Sequence, residues 1–247
     1  MHRGLTTSAQ ERIGPVLARI RAALLDFPRQ VLEFGNSGLA QSAGSEILRQ
    51  DWPKARETLK AWISLLKEEN ERARAAQNCE LADRLLVAMF MLQVRERLCA
   101  SLEEWHLGHF GNAWCALATA QIGLSVALSN GGGALARKWH RLVSECEALF
   151  PRIVGSSFGA EVLSYRCSIC DQDLMTCEHI PGRVYCGALC VKVVEEIEEL
   201  HEISLVKNPA QPEARVTKIG NMDVHDVGLF WDDDETAPSW RYPLDRS

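Results

Sequence analysis

Cys167 and Cys170, with two residues between them, are followed a few positions later by Cys177-Glu-His179. Two intervening residues let a backbone turn aim both sulfurs at one ion, and a second pair offering a thiolate and an imidazole closes a tetrahedron. This spacing predicts one zinc ion held by Cys167, Cys170, Cys177 and His179. Four protein ligands leave no open position for water, so the ion would be structural and not catalytic. In zinc-finger peptides such a site contributes on the order of 10 kcal/mol to folding, which matters for a segment with few apolar residues.

Cys186 and Cys190 follow in the same segment and are spare soft ligands. Either could take the place of His179, with Cys190 the better substitute. A redox Cys-x-x-Cys of the thioredoxin type belongs at a helix start after a strand in a βαβ setting, and the flanking sequence does not read that way. The other cysteines, Cys79, Cys99, Cys115 and Cys146, are spread singly through helical sequence, where buried packing of free thiols is expected.

Weaker candidates lie elsewhere. His106 and His109 with Glu103 and Glu104 precede or surround Gly108 and Gly111, a setting that favours a capped, solvated turn over a second metal site. His225 between Asp223 and Asp226 reads as a flexible polar turn. No Walker loop, dinucleotide fingerprint, Gly-x-Ser-x-Gly elbow or His-Glu-x-x-His motif is present. No catalytic constellation is found, and no enzymatic activity is expected.

The elements that must position the cysteines begin with a long helical region. The chain has 247 residues, 47% of them apolar, enough to bury a core in one large domain or two small ones. Ile13, Val16, Leu17, Ile20, Ala23 and Leu24 recur at three- and four-residue steps and predict a first helix that ends near Pro28. A Gly/Ser/Ala/Gln-rich loop over 35–45 follows. Asp51 before Trp52-Pro53 is an N-cap with proline in the first turn, and Leu59, Trp62, Ile63 and Leu66 form the stripe of a second helix. A third, over 80–104, turns Leu81, Leu85, Ala88, Met89, Leu92 and Leu98 inward and Arg84, Arg95, Glu96 and Arg97 outward. A fourth, over 113–129, is apolar nearly all round and stops at Asn130 and three glycines, and a last spans 134–149. Paired helices with Trp62, Trp114 and Trp139 allow a tetratricopeptide-like array, but no self-similarity near 34 residues is found, so a plain bundle of four or five helices is expected.

After Pro151 glycine, proline, cysteine and β-branched residues replace the helical pattern. The fold class is therefore mainly α, with a helical bundle over 1–151, a small α+β zinc module over 152–222 and an acidic tail over 223–247 with Asp232, Asp233, Asp234 and Glu235 in a row. Within the module, Val194, Ile197 and Leu200 among four glutamates predict an amphipathic helix over 191–201, and 203–206 a strand.

Net charge is −6, which argues against nucleic acid as the main partner. The basic clusters Arg72/Arg74 and Arg137/Lys138/Arg141 read as solvated helix faces. Arg166, Arg183, Lys192, Lys207, Arg215 and Lys218 keep a nucleic-acid-binding zinc module as an alternative. Residues 1–14 do not read as a signal peptide, and the apolar stretches over 85–92 and 113–128 fall short of the roughly 20 residues that cross a bilayer. A cytoplasmic protein is expected.

Cys167-Ser-Ile-Cys170, Cys177-Glu-His179-Ile-Pro-Gly182, Tyr185-x-Gly187 and the run from Glu202 to Pro212 together resemble a zinc-binding segment of uncharacterised bacterial and phage-related proteins. The end of that run resembles the closing strand of phage prohead proteases. The resemblance covers residues 165–219 and implies zinc binding within a bacterial defence or mobile-element assembly. It does not carry over protease activity, because the upstream sequence offers no matching nucleophile and Ser204 falls in the strand pattern as a structural residue. The function expected is a non-catalytic zinc-containing adaptor or scaffold whose protein partner presents a basic surface, with a degenerate maturation-protease relative as the remote alternative.

Overall fold

Asp51 caps the first described helix, as its place before Trp52-Pro53 predicts. In the computed structural model, which describes residues 51–147, 150, 154–206, 214 and 216 and four short strands beyond them, the Asp51 carboxylate accepts from the backbone N–H of Lys54 at 3.4 Å. Four helices follow: α1 Trp52–Ala75, α2 Cys79–His106, α3 Phe110–Ser129 and α4 Gly133–Glu147. The expected first helix, the loop over 35–45, His225 and the acidic run over 232–235 lie outside the described residues. The chain divides into two compact units, Met1–Glu69 with Val87–Phe150 and Asn70–Leu86 with Pro151–Ser247.

The first unit is built on a core of Trp52 and Leu59 from α1, Leu92, Val94 and Leu98 from α2, Leu117 and Leu124 from α3, and Trp139 and Val143 from α4. Phe150 closes it edge-on against Trp105 (4.4 Å between ring centroids) and Trp114 (5.5 Å). At the end of α3, Gly132 N–H bonds back to the Ala127 carbonyl at 2.7 Å, and Gly131 at φ 90° supplies the left-handed residue that stops the helix.

Two outward placements expected for α2 are corrected. Arg95 and Glu96 are buried, at 2% and 4% exposure. The helix is enclosed on more sides than its stripe suggests, and each charge has a specific neighbour: the Arg95 guanidinium lies 4.9 Å from the Trp139 ring centre, and Glu96 accepts from Arg56 at 3.0 Å. Conversely α3 is not covered all round, since Cys115, Thr119, Ile122 and Ser125 are exposed. The basic side chains of Arg72, Arg74, Arg137, Lys138 and Arg141 are exposed as expected.

The second unit is mostly β. Strands β1 Gly155–Cys167 and β4 Lys192–Val206 form a long antiparallel ribbon, with the short hairpin β2 Val184–Tyr185 and β3 Ala188–Leu189 between them in sequence. Residues 214 and 216 return beside the start of β1 through Ser156 N–H to Ala214 O and Val216 N–H to Val154 O, both 2.8 Å. Beyond lie two further two-residue pairings, β5 Lys218–Ile219 with β6 Met222–Asp223 and β7 Leu229–Phe230 with β8 Ser239–Trp240. The chain is thus mainly α with a small module after the helices, but the helix expected over 191–201 is strand. Its every-third apolar spacing is absorbed by register shifts in the ribbon: Ile203 pairs with Phe158, Leu200 with Ala160, Ile197 with Val162 and Val194 with Tyr165. Each bulge brings the next apolar residue back to the same face.

This unit also includes the α1–α2 turn. Cys79 at the start of α2 and Cys186 in the β2–β3 turn form a disulfide, 107 residues apart in sequence. This corrects two expectations: Cys79 is exposed and bonded, not a buried thiol, and Cys186 is not a free ligand. Cys115 is also exposed, whereas Cys99 and Cys146 are buried as expected. Gly187 follows at φ 72°, and its N–H donates to Asp83 at 2.6 Å. A Cβ there would lie 2.5 Å from Asn70 Nδ2 and 2.8 Å from the Ala82 methyl, so the turn seats against the helices only because this residue has no side chain.

Candidate metal centre

β1 ends on Cys167, and the chain then reverses. Asp171 N–H bonds to the Cys167 carbonyl at 3.0 Å and Cys167 N–H to the Gln172 carbonyl at 2.9 Å, with Asp171 in the left-handed region at φ 58°. The reversal sets Cys170 beside Cys167. Arg166 holds it from outside, its guanidinium bonded to Asp171 and, at 2.9 Å, to Glu195 on β4. Asp173 shapes the next turn, accepting from Met175 N–H at 2.7 Å through its carboxylate and from Cys177 N–H at 3.1 Å through its carbonyl. That turn delivers Cys177 and His179. The His179 ring packs edge-on to Tyr185 at 4.6 Å, and the Tyr185 hydroxyl accepts from Ile180 N–H at 2.9 Å.

The ligand atoms of Cys167, Cys170, Cys177 and His179 all lie within 4.8 Å of one another, the one group of this kind among the described residues. The four residues whose spacing predicted a site are thus brought together and can hold a metal ion. Their chemistry fits: three soft sulfurs and an imidazole suit a tetrahedral ion, and His179 Nδ1 is buried without a hydrogen-bond partner, a state that costs free energy unless something coordinates it.

Cys190 stands beside this group as a fifth donor. The β2–β3 hairpin places it through Cys190 N–H to Arg183 O and Gly182 N–H to Cys190 O, both 2.8 Å. Its sulfur is 3.8 Å from that of Cys167, and both side chains are wholly buried. With metal–sulfur bonds of about 2.3 Å, the edge of a tetrahedron of sulfurs is about 3.8 Å, so the pair already has the separation of two ligands. Cys186, the other spare thiol, is committed to Cys79.

The electrostatics of the sulfurs differ with their partners. Burial works to raise the Cys167 thiol, but the backbone N–H groups of Cys170 and Ile169 and the thiols of Cys170 and Cys190 favour its thiolate and bring it down to about 6. Burial, then the neighbouring Cys167 sulfur, pushes Cys190 up to about 11. Cys177 is also raised, first by burial. Cys167 is thus prepared as an anion, whereas Cys177 and Cys190 become good ligands only opposite a cation.

The remaining candidates resolve as structure. His109 Nδ1 lies 3.0 Å from the Glu104 carboxylate, which also accepts from Asn112 at 3.1 Å, and Glu103 accepts from Arg56 at 2.6 Å. This is a bonded helix-to-helix turn. Ser204 sits in β4 opposite Ser157. Arg166 is engaged by carboxylates and the Lys192 ammonium lies 5.3 Å from the Tyr165 ring centre, while Lys207 and Arg215 lie outside the described residues. What sequence reasoning missed is the Cys79–Cys186 bond, whose partners stand 107 residues apart and share no spacing pattern.

No protein-family model, curated protein or solved structure matches this chain. No helix among the described residues is long and apolar enough to cross a membrane.

Proposed function

We propose that this chain is a non-catalytic adaptor or scaffold of the cytoplasm that works in a protein complex, its second unit organised by one structural zinc ion on Cys167, Cys170, Cys177 and His179. The observation that carries the reading is the donor set: four protein atoms within 4.8 Å of one another, with a fifth thiol adjacent, close a tetrahedron and leave no position for a substrate. Zinc, not another metal, is favoured by the thiolate-rich, four-coordinate set. The ion would fix the loops over 167–190 and so the root of the ribbon that leaves them.

The resemblance over 165–219 favours a bacterial defence or mobile-element assembly as the setting, and the acidic chain favours a partner with a basic surface. Affinity purification of the full chain from its source cells should recover a stoichiometric protein partner. Recovery of none counts against the adaptor. The nucleic-acid alternative is disfavoured by the five glutamates of β4, and a titration with duplex and single-stranded oligonucleotides would revive it only if binding weakened steeply with salt. The ligand set is sharpened by comparing His179→Ala with Cys190→Ala: loss of zinc in the first and retention in the second fits the assignment, and the reverse makes Cys190 the fourth ligand.

A further inference from the structure

The β1–β4 ribbon carries an apolar face that is exposed among the described residues. Directly paired residues of an antiparallel ladder point to the same side, so the register places Phe158 with Ile203, Val162 with Ile197, and Leu200 and Val194 in line with them. Phe158 is 62% exposed, Ile203 63%, Leu200 57% and Ile197 56%. Buried strands in other proteins place such residues in a core, and single exposed ones are ordinary, but here a whole row is aligned by bulges that would have no purpose in a solvated arm. A two-stranded ribbon is only marginally stable by itself and gains from packing against a helix.

The opposite face and the bulged positions are acidic. Glu199 pairs with Glu161, and Glu202 with Gly159, on the other side, while Glu195 and Glu198 fall at register shifts. The only cationic candidate in the outer ribbon, His201, lies between Glu161 at 3.9 Å and Glu199 at 3.8 Å. A second copy stacked face to face would bring two such acidic ribbons together, so self-association is opposed by charge. From the Val194 pair to the Ile203 pair the ladder advances six steps, the bulged residues adding none, so the stripe spans about 20 Å at strand rise, the length of a helix of roughly 13 residues.

We propose that the apolar face of the β1–β4 ribbon is the docking surface for an amphipathic helix of the partner, apolar along one side and flanked by lysine or arginine. The surface rests on the adaptor reading and gives it a site: leucine-like side chains cover Phe158, Ile197, Leu200 and Ile203, and the basic flanks meet the glutamates at the register shifts, Glu195 and Glu198.

The test uses the full chain and a labelled, synthetic 18-residue leucine/lysine amphipathic helix, followed by fluorescence anisotropy, with a leucine/glutamate helix of the same pattern as control. The proposal expects saturable binding of the lysine peptide only, weakened about tenfold or more by Leu200→Asp and less by Leu200→Ser, with metal content unchanged in both variants. It also expects Glu198→Gln to flatten the salt dependence. Equal binding by wild type and Leu200→Asp overturns it, because the peptide would then be held by charge alone. No binding by wild type overturns it, as a face covered by the chain itself would behave, and so does a concentration-dependent dimer that Leu200→Asp dissociates, which would make a second copy the occupant. If a partner from the source cells is still retained by Leu200→Asp, the ribbon proposal fails while the adaptor reading stands; if neither protein recovers one, the adaptor reading fails as well.

Discussion

The two units solve the problem of a core in opposite ways. The helical unit buries its large side chains: Trp139, Leu117 and Val94 are wholly inaccessible, and even Arg95 is taken inside against an aromatic ring. The second unit turns large aliphatic residues outward along a ribbon, and among the described residues it buries completely only small or medium side chains: Ala82, Val154, Cys167 and Cys190. Apolar burial of about 25 cal/mol per Å² can hold the first. The second has less of it, and carries point attachments instead: a Cys/His cluster that can hold a metal ion, one disulfide and a glycine turn packed against Asn70 and Ala82.

Attachments fail singly and cores fail cooperatively, and that contrast can be broken or sharpened by experiment. The largest effect should come from the metal. Removal of the ion by a chelator, or Cys167→Ser, should cost on the order of 10 kcal/mol locally and abolish the ribbon's amide protection in hydrogen exchange, while the helical circular dichroism persists. Simultaneous loss of both would show that the units are one cooperative body.

The converse change is Trp139→Ala, which should destabilise the helical unit by about 3–5 kcal/mol through the cavity it leaves and strand the Arg95 guanidinium without its ring. Denaturant unfolding followed by circular dichroism reads the loss, and metal content should be unchanged. Next in size is the disulfide. Closing a loop of roughly 100 residues is worth about 2–4 kcal/mol, so a reductant should lower the stability of the second unit in the wild type and have no effect in Cys186→Ser. Gly187→Ala should cost about 1–3 kcal/mol from a left-handed turn and the close approach of Asn70, measured in the same assay.

The smallest effect concerns alkali. Burial pushes the Cys99 thiol from 9.0 to about 12. A group whose folded value is raised stabilises the fold fully below the unfolded value and progressively less as pH rises toward the folded one. Stability of the helical unit should therefore fall between about pH 9 and 12, and Cys99→Ala should reduce that fall. Thiol alkylation at pH 8 should reach exposed Cys115 and spare Cys99 and Cys146.

The helical unit was largely legible in sequence because its determinants are local: the Asp51 cap, the three- and four-residue steps of Leu59, Ile63 and Leu66, and the glycines after Asn130. Its buried Arg95 and Glu96 were not, since tertiary neighbours such as Trp139 and Arg56, distant in sequence, help make their burial tolerable. In the second unit the cysteine and histidine spacing was enough to find the cluster. The ribbon was misread because Val194, Ile197, Leu200 and Ile203 repeat every third residue, a spacing that suits a helix and that a strand accommodates only through bulges, which leave no mark in composition. The Cys79–Cys186 bond joins residues too far apart for spacing to reveal.

The central claim is that a metal ion, in place of an apolar core, organises the second unit. Elemental analysis of the full chain, purified without chelators or metal-affinity resin, tests it most directly: one zinc ion per chain is predicted in the wild type and none in Cys167→Ser, and a wild-type protein that is folded through its ribbon and carries no metal would contradict it.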